Sequence, residues 1–257
     1  MIPKIIHLCW LSGDAYPEKI EQCLQSWKDR LPDYEVWLWD TKRFDIYSSP
    51  WTCEAYHYRK YAFAADYIRL YALYNHGGIY LDSDVMVYKP FDDLLDLPYF
   101  LGRDFTGAFE PAIIGCEPGT KWVGDVLEFY KDRHFVNEDR TFDIHNLPVV
   151  FFEQLFGHYT FKAIDNKNGF CGDNGTISLF DSDFFNSRDY VGIKRSEKAY
   201  CAHCFAASWG GHQSGLRERL IRALPRGVAN SLLNLHYNVI KPAATHRYDP
   251  IYRQEHP

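Results

Sequence analysis

Two aspartates one residue apart, Asp82-Ser83-Asp84, follow a short apolar run, Ile79-Tyr80-Leu81. On extended chain, carboxylates two positions apart point to the same side, and like charges that close are costly unless a cation neutralises them. Oxygen ligands suit a hard divalent ion such as Mg²⁺ or Mn²⁺, which keeps positions open for phosphate oxygens. The same residues also read as a solvated acidic turn, so the motif acquires meaning only from its surroundings. Upstream, Asp66 and Arg69 lie three apart in a helical stretch and share a face. They form a salt bridge, or Asp66 accepts from a ribose hydroxyl or a base while Arg69 contacts a nucleotide.

Those side chains need elements to position them. Residues 4–10 read as a buried strand ended by Ser12-Gly13-Asp14. Pro17 opens an amphipathic helix with Ile20, Cys23, Leu24 and Trp27 on one face, and Leu31-Pro32-Asp33 ends it. Residues 34–39 form a second strand, so the chain opens as a parallel β-α-β unit. A longer helix over residues 61–75 carries Ala64, Ile68, Tyr71 and Ala72 on its apolar stripe. His76-Gly77-Gly78 stops it, with glycine suited to a positive φ. Residues 79–81 then run as a buried strand into the two aspartates, and 85–88 continue extended. In open α/β sheets ligands bind just outside the carboxyl ends of the strands, where this motif falls. Further helices are expected over 121–131 and 148–156, with short strands near 99–102, 113–115 and 200–205.

The run ADYIRLYALYNHGGIYLDSDV resembles the DXD sugar-binding region of glycosyltransferase family 32. The opening IPKIIHLCWLSG and CLQSWKDRLPDYEVWLWD resemble that family's first strand, helix and strand, and HCFAASW its late His…Ser-Trp element. The resemblance covers residues 2–90 closely and 200–210 more loosely. It implies an α/β fold of the GT-A (Rossmann-like) type, a divalent metal (Mn²⁺ or Mg²⁺), and a nucleotide-sugar donor, with retention of anomeric configuration. By that likeness Trp10 stacks on the base, while Asp66 and Arg69 hold nucleoside and sugar. Tyr80 and Asp82 contact ribose and sugar hydroxyls, and Asp84 is the main metal ligand, with His203 a further one. Ser208 and Trp209 donate to the diphosphate, and an indole N–H can do so without repulsion because it is donor-only. Asp82, Asp84 and Arg69 are thus the residues expected to carry catalysis. The middle of the chain departs from the family pattern at Phe109-Glu110-Pro111 and Asn146-Leu147-Pro148. Glu110, Asp104 and Asp173 are the candidate carboxylates for the acceptor side there, and none is assigned as a nucleophile.

Composition bounds the rest. At 257 residues, 46% hydrophobic and 24% charged, the chain is long enough to bury one full core. The net charge of −6 argues against a nucleic-acid partner. Residues 216–257, however, hold seven Arg or Lys against three Asp or Glu, and they alternate with Leu, Ile and Val in an amphipathic pattern. The expected organisation is a catalytic domain over 1–215 and a basic helical extension over 216–257. The extension either packs on the core or lies on an anionic membrane surface through residues 216–241. No transmembrane span or signal peptide is expected, and seven irregularly spaced cysteines fit reduced thiols in a cytoplasm. Together these suggest a cytoplasmic or peripheral-membrane protein, and the family resemblance implies an enzyme of surface polysaccharide synthesis. It would move a hexose or N-acetylhexosamine, with a UDP-sugar favoured, to a glycan or lipid-linked acceptor. The rival readings are an Asp-x-Asp phosphohydrolase, and a sugar- or metal-binding module without activity.

Overall fold

The computed structural model describes residues 1–173, 175–186, 192–194, 196–205, 224–240 and 242–256. The first strand, β1 (Ile5–Cys9), is followed by helix α1 (Glu18–Arg30) and strand β2 (Glu35–Trp39), and β2 pairs parallel with β1. Pro17 stands at the N-cap of α1, and Ile20, Cys23 and Trp27 form the buried face. Helix α2 (Pro50–His57), which the sequence reading passed over, leads into α3 (Tyr61–His76). Strand β3 (Gly78–Leu81) then enters the sheet parallel to β1.

The glycines between α3 and β3 are required by geometry. Gly77 closes the helix at φ 64°, its N–H donating to Leu73 O, and Gly78 has φ 102°. A Cβ on Gly78 would lie 2.7 Å from Ile5 O, so β1 could not approach β3 closely with any side chain there.

Beyond the aspartates come β4 (Val85–Val87), β5 (Tyr99–Arg103), β6 (Phe109–Cys116), β7 (Thr160–Ile164) and β8 (Thr176–Phe180). The seven-stranded sheet has the order β2-β1-β3-β6-β5-β8-β7. It is mixed: β6 runs antiparallel to both β3 and β5, and the remaining neighbours pair parallel. Strand periodicity assigns alternate side chains to opposite faces. Ile79, Leu81 and Ile113 enter one hydrophobic cluster with Trp27 of α1, while Tyr80 and Ile114 enter the other with α3 and with α4 (Lys121–Leu127) and α5 (Leu147–Leu155). The expected α/β class is what the chain adopts. The helix expected over 121–131 ends as α4 at Leu127, with a 3-10 turn from Glu128 to Tyr130. Strands β7 and β8 carried no recognised signal.

A second, two-stranded sheet joins distant segments. Strand β9 (Cys201–His203) pairs antiparallel with β4, His203 opposite Val85, after the short helix α6 (Ser182–Phe185). Helix α1 anchors this ribbon, Trp27 Nε1 donating to Val85 O at 2.7 Å and Val87 N to Ser26 Oγ at 2.9 Å. The two cysteines of Cys201-x-x-Cys204 do not converge: Cys201 Sγ faces Phe185 O, and Cys204 Sγ lies 3.9 Å from Cys23 Sγ.

Near the C-terminus, α7 (Arg226–Asn234) continues into a π-helical turn (Leu235–Ile240). Gly227 lies in the first turn of α7. A short helix α8 (Pro242–Thr245) precedes α9 (Pro250–Glu255), which Asp249 caps. Helix α9 returns to the sheet edge, where Gln254 Oε1 accepts from Phe161 N at 2.9 Å. The expected amphipathic face at residues 216–223 lies outside the described residues. Among the described residues, no helix is long and apolar enough to cross a membrane.

His7, fully buried in β1, locks the β1–β2–β3 junction. Its Nδ1 accepts from Trp39 Nε1 at 3.0 Å, so Nε2 carries the proton and donates to Gly77 O at 2.6 Å. Burial pushes the ring down from the ordinary 6.5 to about 4. The unfolded chain therefore binds a proton that the fold refuses in this window. The contribution of His7 to stability is expected to be complete above pH ~6.5 and to fall by about 3 kcal/mol as pH drops towards ~4. Urea unfolding of wild type and His7→Gln at several pH values isolates it, because the difference between the two proteins should carry that slope.

Candidate active site

The chain between β3 and β4 makes a tight turn, with Val85 N donating to Asp82 O at 3.0 Å. The sequence reading placed the two aspartates on extended chain. Their convergence comes instead from this turn, held on both sides. Asp82 N donates to Ala112 O of β6 at 2.9 Å, and Asp84 O accepts from Cys204 N, just past β9, also at 2.9 Å. Pairing β9 with β4 brings His203 to the same place. Side-chain ligand atoms of Asp82, Asp84 and His203 all lie within 4.8 Å of one another.

Behind the turn, Arg69 is the structural centre. Its Nη2 lies 2.9 Å from Asp66 Oδ1 and 3.2 Å from Asp82 Oδ1, while Nη1 donates to Pro111 O at 2.8 Å. The guanidinium also sits 4.5 Å from the centre of the Tyr80 ring, and Tyr80 Oη donates to Asp82 Oδ1 at 2.9 Å. Nε of Arg69 is buried with no hydrogen-bond partner. Asp66 and Arg69 therefore do form the salt bridge that their spacing allows, and they hold it against the first aspartate. Burial pushes the Asp66 carboxyl up to about 7, Arg69 opposing the shift, and burial raises Asp82 as well.

Three carboxylates, one imidazole and one guanidinium thus crowd a single strand end. The donor set fits a hard divalent cation. With bonds of roughly 2.0–2.1 Å, two ligands on one octahedral ion stand at most about 4.2 Å apart, so small side-chain shifts would close the observed spacing. Burial works against charging His203, but Glu110 and Asp84 on either side raise its proton affinity well above the ordinary histidine range, and a cation at Nε2 would take the place of that proton.

Trp10 directly follows β1, at the same carboxyl end of the parallel strands β1 and β3 as the aspartates. Its Nε1 donates to Asp14 O at 2.9 Å, and its ring centre lies 4.8 Å from that of Tyr16. Ser208 and Trp209 lie outside the described residues. The acceptor-side carboxylates separate. Asp173 is exposed and bonded within its own loop to Gly175 N and Thr176 Oγ1. Asp104 accepts from Thr106 and Ala108 in the β5–β6 turn, and burial raises it to about 6. Glu110 alone reaches the cluster, with Oε1 3.3 Å from His203 Nδ1. Sequence spacing gave no hint of that contact.

Residues 17–101 match the family described as the glycosyltransferase sugar-binding region containing a DXD motif. It is 35% identical to inositol phosphoceramide mannosyltransferase 3 of Schizosaccharomyces pombe over 130 residues, which are 49% of this chain and 36% of the relative. It is 27% identical to the uncharacterized glycosyltransferase L373 of Acanthamoeba polyphaga mimivirus over 228 residues, covering 82% of this chain and 85% of that one. A solved glycosyltransferase, GlyE of Streptococcus pneumoniae, superposes at a TM-score of 0.45 with 14% identity, over 89% of this chain and 63% of that one. The chain spans only 36% of the length of the first fungal relative.

Removing Arg69 should expose how much it compensates. Arg69→Met leaves the buried Asp66 and the half-buried Asp82 without a counter-charge and is expected to cost about 3 kcal/mol. Asp66→Asn, which removes a carboxylate that burial already disfavours, should change stability by less than about 1 kcal/mol. Urea unfolding of the ligand-free proteins measures both.

Proposed function

We propose that the chain is a metal-dependent, retaining glycosyltransferase, which moves a hexose or N-acetylhexosamine from a nucleotide-sugar to a glycan or lipid-linked glycan. The observation that carries this reading is the convergence of Asp82, Asp84 and His203 beside the Asp66–Arg69 pair. Asp84 and His203 would hold Mn²⁺ or Mg²⁺, with Asp82 shared between the metal and donor hydroxyls. The bound ion would supply positive charge to the departing diphosphate. Asp66, paired to Arg69 through Oδ1, suits a ribose hydroxyl, and Trp10 offers a ring at the carboxyl end of β1 for the base. Tyr80 and Arg69 fix the carboxylate of Asp82 from behind, which keeps it oriented when the donor enters. Ser208 and Trp209, as donors, suit the diphosphate oxygens. UDP-sugars remain the first donors to try. Mannose belongs in the same panel, since it is the sugar in the printed names of the fungal relatives.

The C-terminal segment supports a place at the cytoplasmic face of a membrane in surface polysaccharide synthesis. Leu224, Val228, Leu232, Leu235 and Val239 are all exposed, and from 228 to 239 they recur at near-helical spacing. Arginines crowd the sequence just before them. An apolar stripe with basic flanks suits a surface of anionic lipid.

The catalytic reading is tested by sugar transfer from a panel of nucleotide-sugars with and without Mn²⁺. Asp84→Ala should lower turnover by roughly 10²-fold or more, and excess EDTA should abolish it. Transfer at wild-type rates in either condition would remove the metal from the mechanism. For the tail, sedimentation with phosphatidylserine vesicles should show binding that Leu232→Ser/Leu235→Ser weakens at least tenfold, since each buried leucine is worth about 1.5–3 kcal/mol. Equal binding by that variant rejects the membrane contact.

A further inference from the structure

We propose that Glu110 is a positioning residue: from β6 it fixes the ring of His203 so that Nε2 presents to Asp84 and the cation site. This rests on the reading of Asp82, Asp84 and His203 as that site. His203 stands between two carboxylates, Nδ1 3.3 Å from Glu110 Oε1 and Nε2 3.3 Å from Asp84 Oδ1. Glu110 itself is 4% exposed and tethered from two further directions. Ala112 N donates to Oε1 at 3.2 Å, and Asn186, fully buried after α6, donates its amide to Oε2. Among the described residues, His203 is the one cationic group within ion-pair distance of Glu110.

The arrangement explains a buried charge that otherwise has no reason to be there. A carboxylate sealed in a strand is costly unless paired and hydrogen-bonded. Here two of its bonds aim it, and the third direction is the imidazole. A carboxylate behind a ligating histidine selects the tautomer with the proton on Nδ1, leaves the Nε2 lone pair for the cation, and raises its basicity. His203 Nδ1 is buried and makes no well-aligned hydrogen bond as the ring now stands, so a small rotation that turns Nε2 onto a cation is free to align Nδ1–H with Glu110. Phe205 limits the other motions of the ring: it stacks on His203 with centres 3.9 Å apart and planes 24° apart. With its oxygens engaged by Asn186, Ala112 and His203, Glu110 is placed to orient rather than to attack an anomeric carbon.

Isothermal titration of the nucleotide-free protein with Mn²⁺ tests this without any reaction. Wild type, Glu110→Gln, His203→Ala and the double variant form a cycle. Glu110→Gln, isosteric and still able to meet Asn186, is expected to bind Mn²⁺ about 10–100-fold more weakly while its metal-free melting temperature stays near wild type. In the His203→Ala background the same change should have no further effect, because Glu110 acts through that ring. Should Glu110→Gln not accumulate as folded protein, Asn186→Ser loosens the same carboxylate and is expected to weaken Mn²⁺ several-fold. Wild-type affinity in the folded variant, or an equal loss with and without His203, overturns the proposal. A site weakened by His203→Ala but indifferent to Glu110→Gln overturns the positioning role and leaves the metal reading intact. Wild-type protein that binds no Mn²⁺ overturns both.

Discussion

Everything at the strand end depends on a buried guanidinium. Arg69 reaches Asp66 on its own helix, Asp82 after β3 and the carbonyl of Pro111 in β6, and so ties three elements at one point. Without it, two carboxylates would stand buried against each other, which proteins avoid because like charges in a low-dielectric setting repel strongly. With it, acidic groups can be concentrated where the sheet opens to solvent. The planar fork of arginine matters, since it serves several partners at fixed angles, which a lysine ammonium does not.

Much of the local architecture follows from holding that point. Helix α3 must end close to where β3 begins, so the chain turns through Gly77 and Gly78, and β1 comes near enough for His7 to bond Gly77 O. The turn from Asp82 to Val85 is then clamped by β6 on one side and β9 on the other. The cluster therefore has two halves with separate supports. Asp82 shares Arg69 with Asp66 and accepts from Tyr80, while Asp84 faces His203 of the β4–β9 ribbon, which Glu110 meets from β6. Under the proposed reading, the first half faces sugar and ribose, and the second faces the metal.

The chain's opening was the most legible part. A parallel β-α-β start, a helix ended by His-Gly-Gly and a strand running into Asp-x-Asp are local patterns, and Pro17, the apolar stripe of α1 and the positive φ of Gly77 follow from single-residue chemistry. Strands β7 and β8 carry the period-two alternations Thr-Phe-Lys-Ala and Thr-Ile-Ser-Leu, but each spans only four residues, the shortest run that argues for a strand. The turn that aims the aspartates is one of two readings that Asp-Ser-Asp allows, since these residues suit a polar turn as well as a strand end and the local sequence does not choose between them. Glu110 appeared in sequence only as one of three unassigned carboxylates.

What the sequence determined by itself was therefore the class of fold, the helix face carrying Asp66 and Arg69, and the strand end where the aspartates fall. These are set by hydrophobic periodicity, glycine conformation and residue spacing, which are properties of contiguous chain. Tertiary structure alone decided that Arg69 bridges Asp66 to Asp82, that His203 arrives through pairing of β9 with β4, and that Glu110 stands behind its ring. Each of those joins segments dozens of residues apart through strand register and burial. Register is fixed by which side chains the whole core can accept, and no local pattern records that.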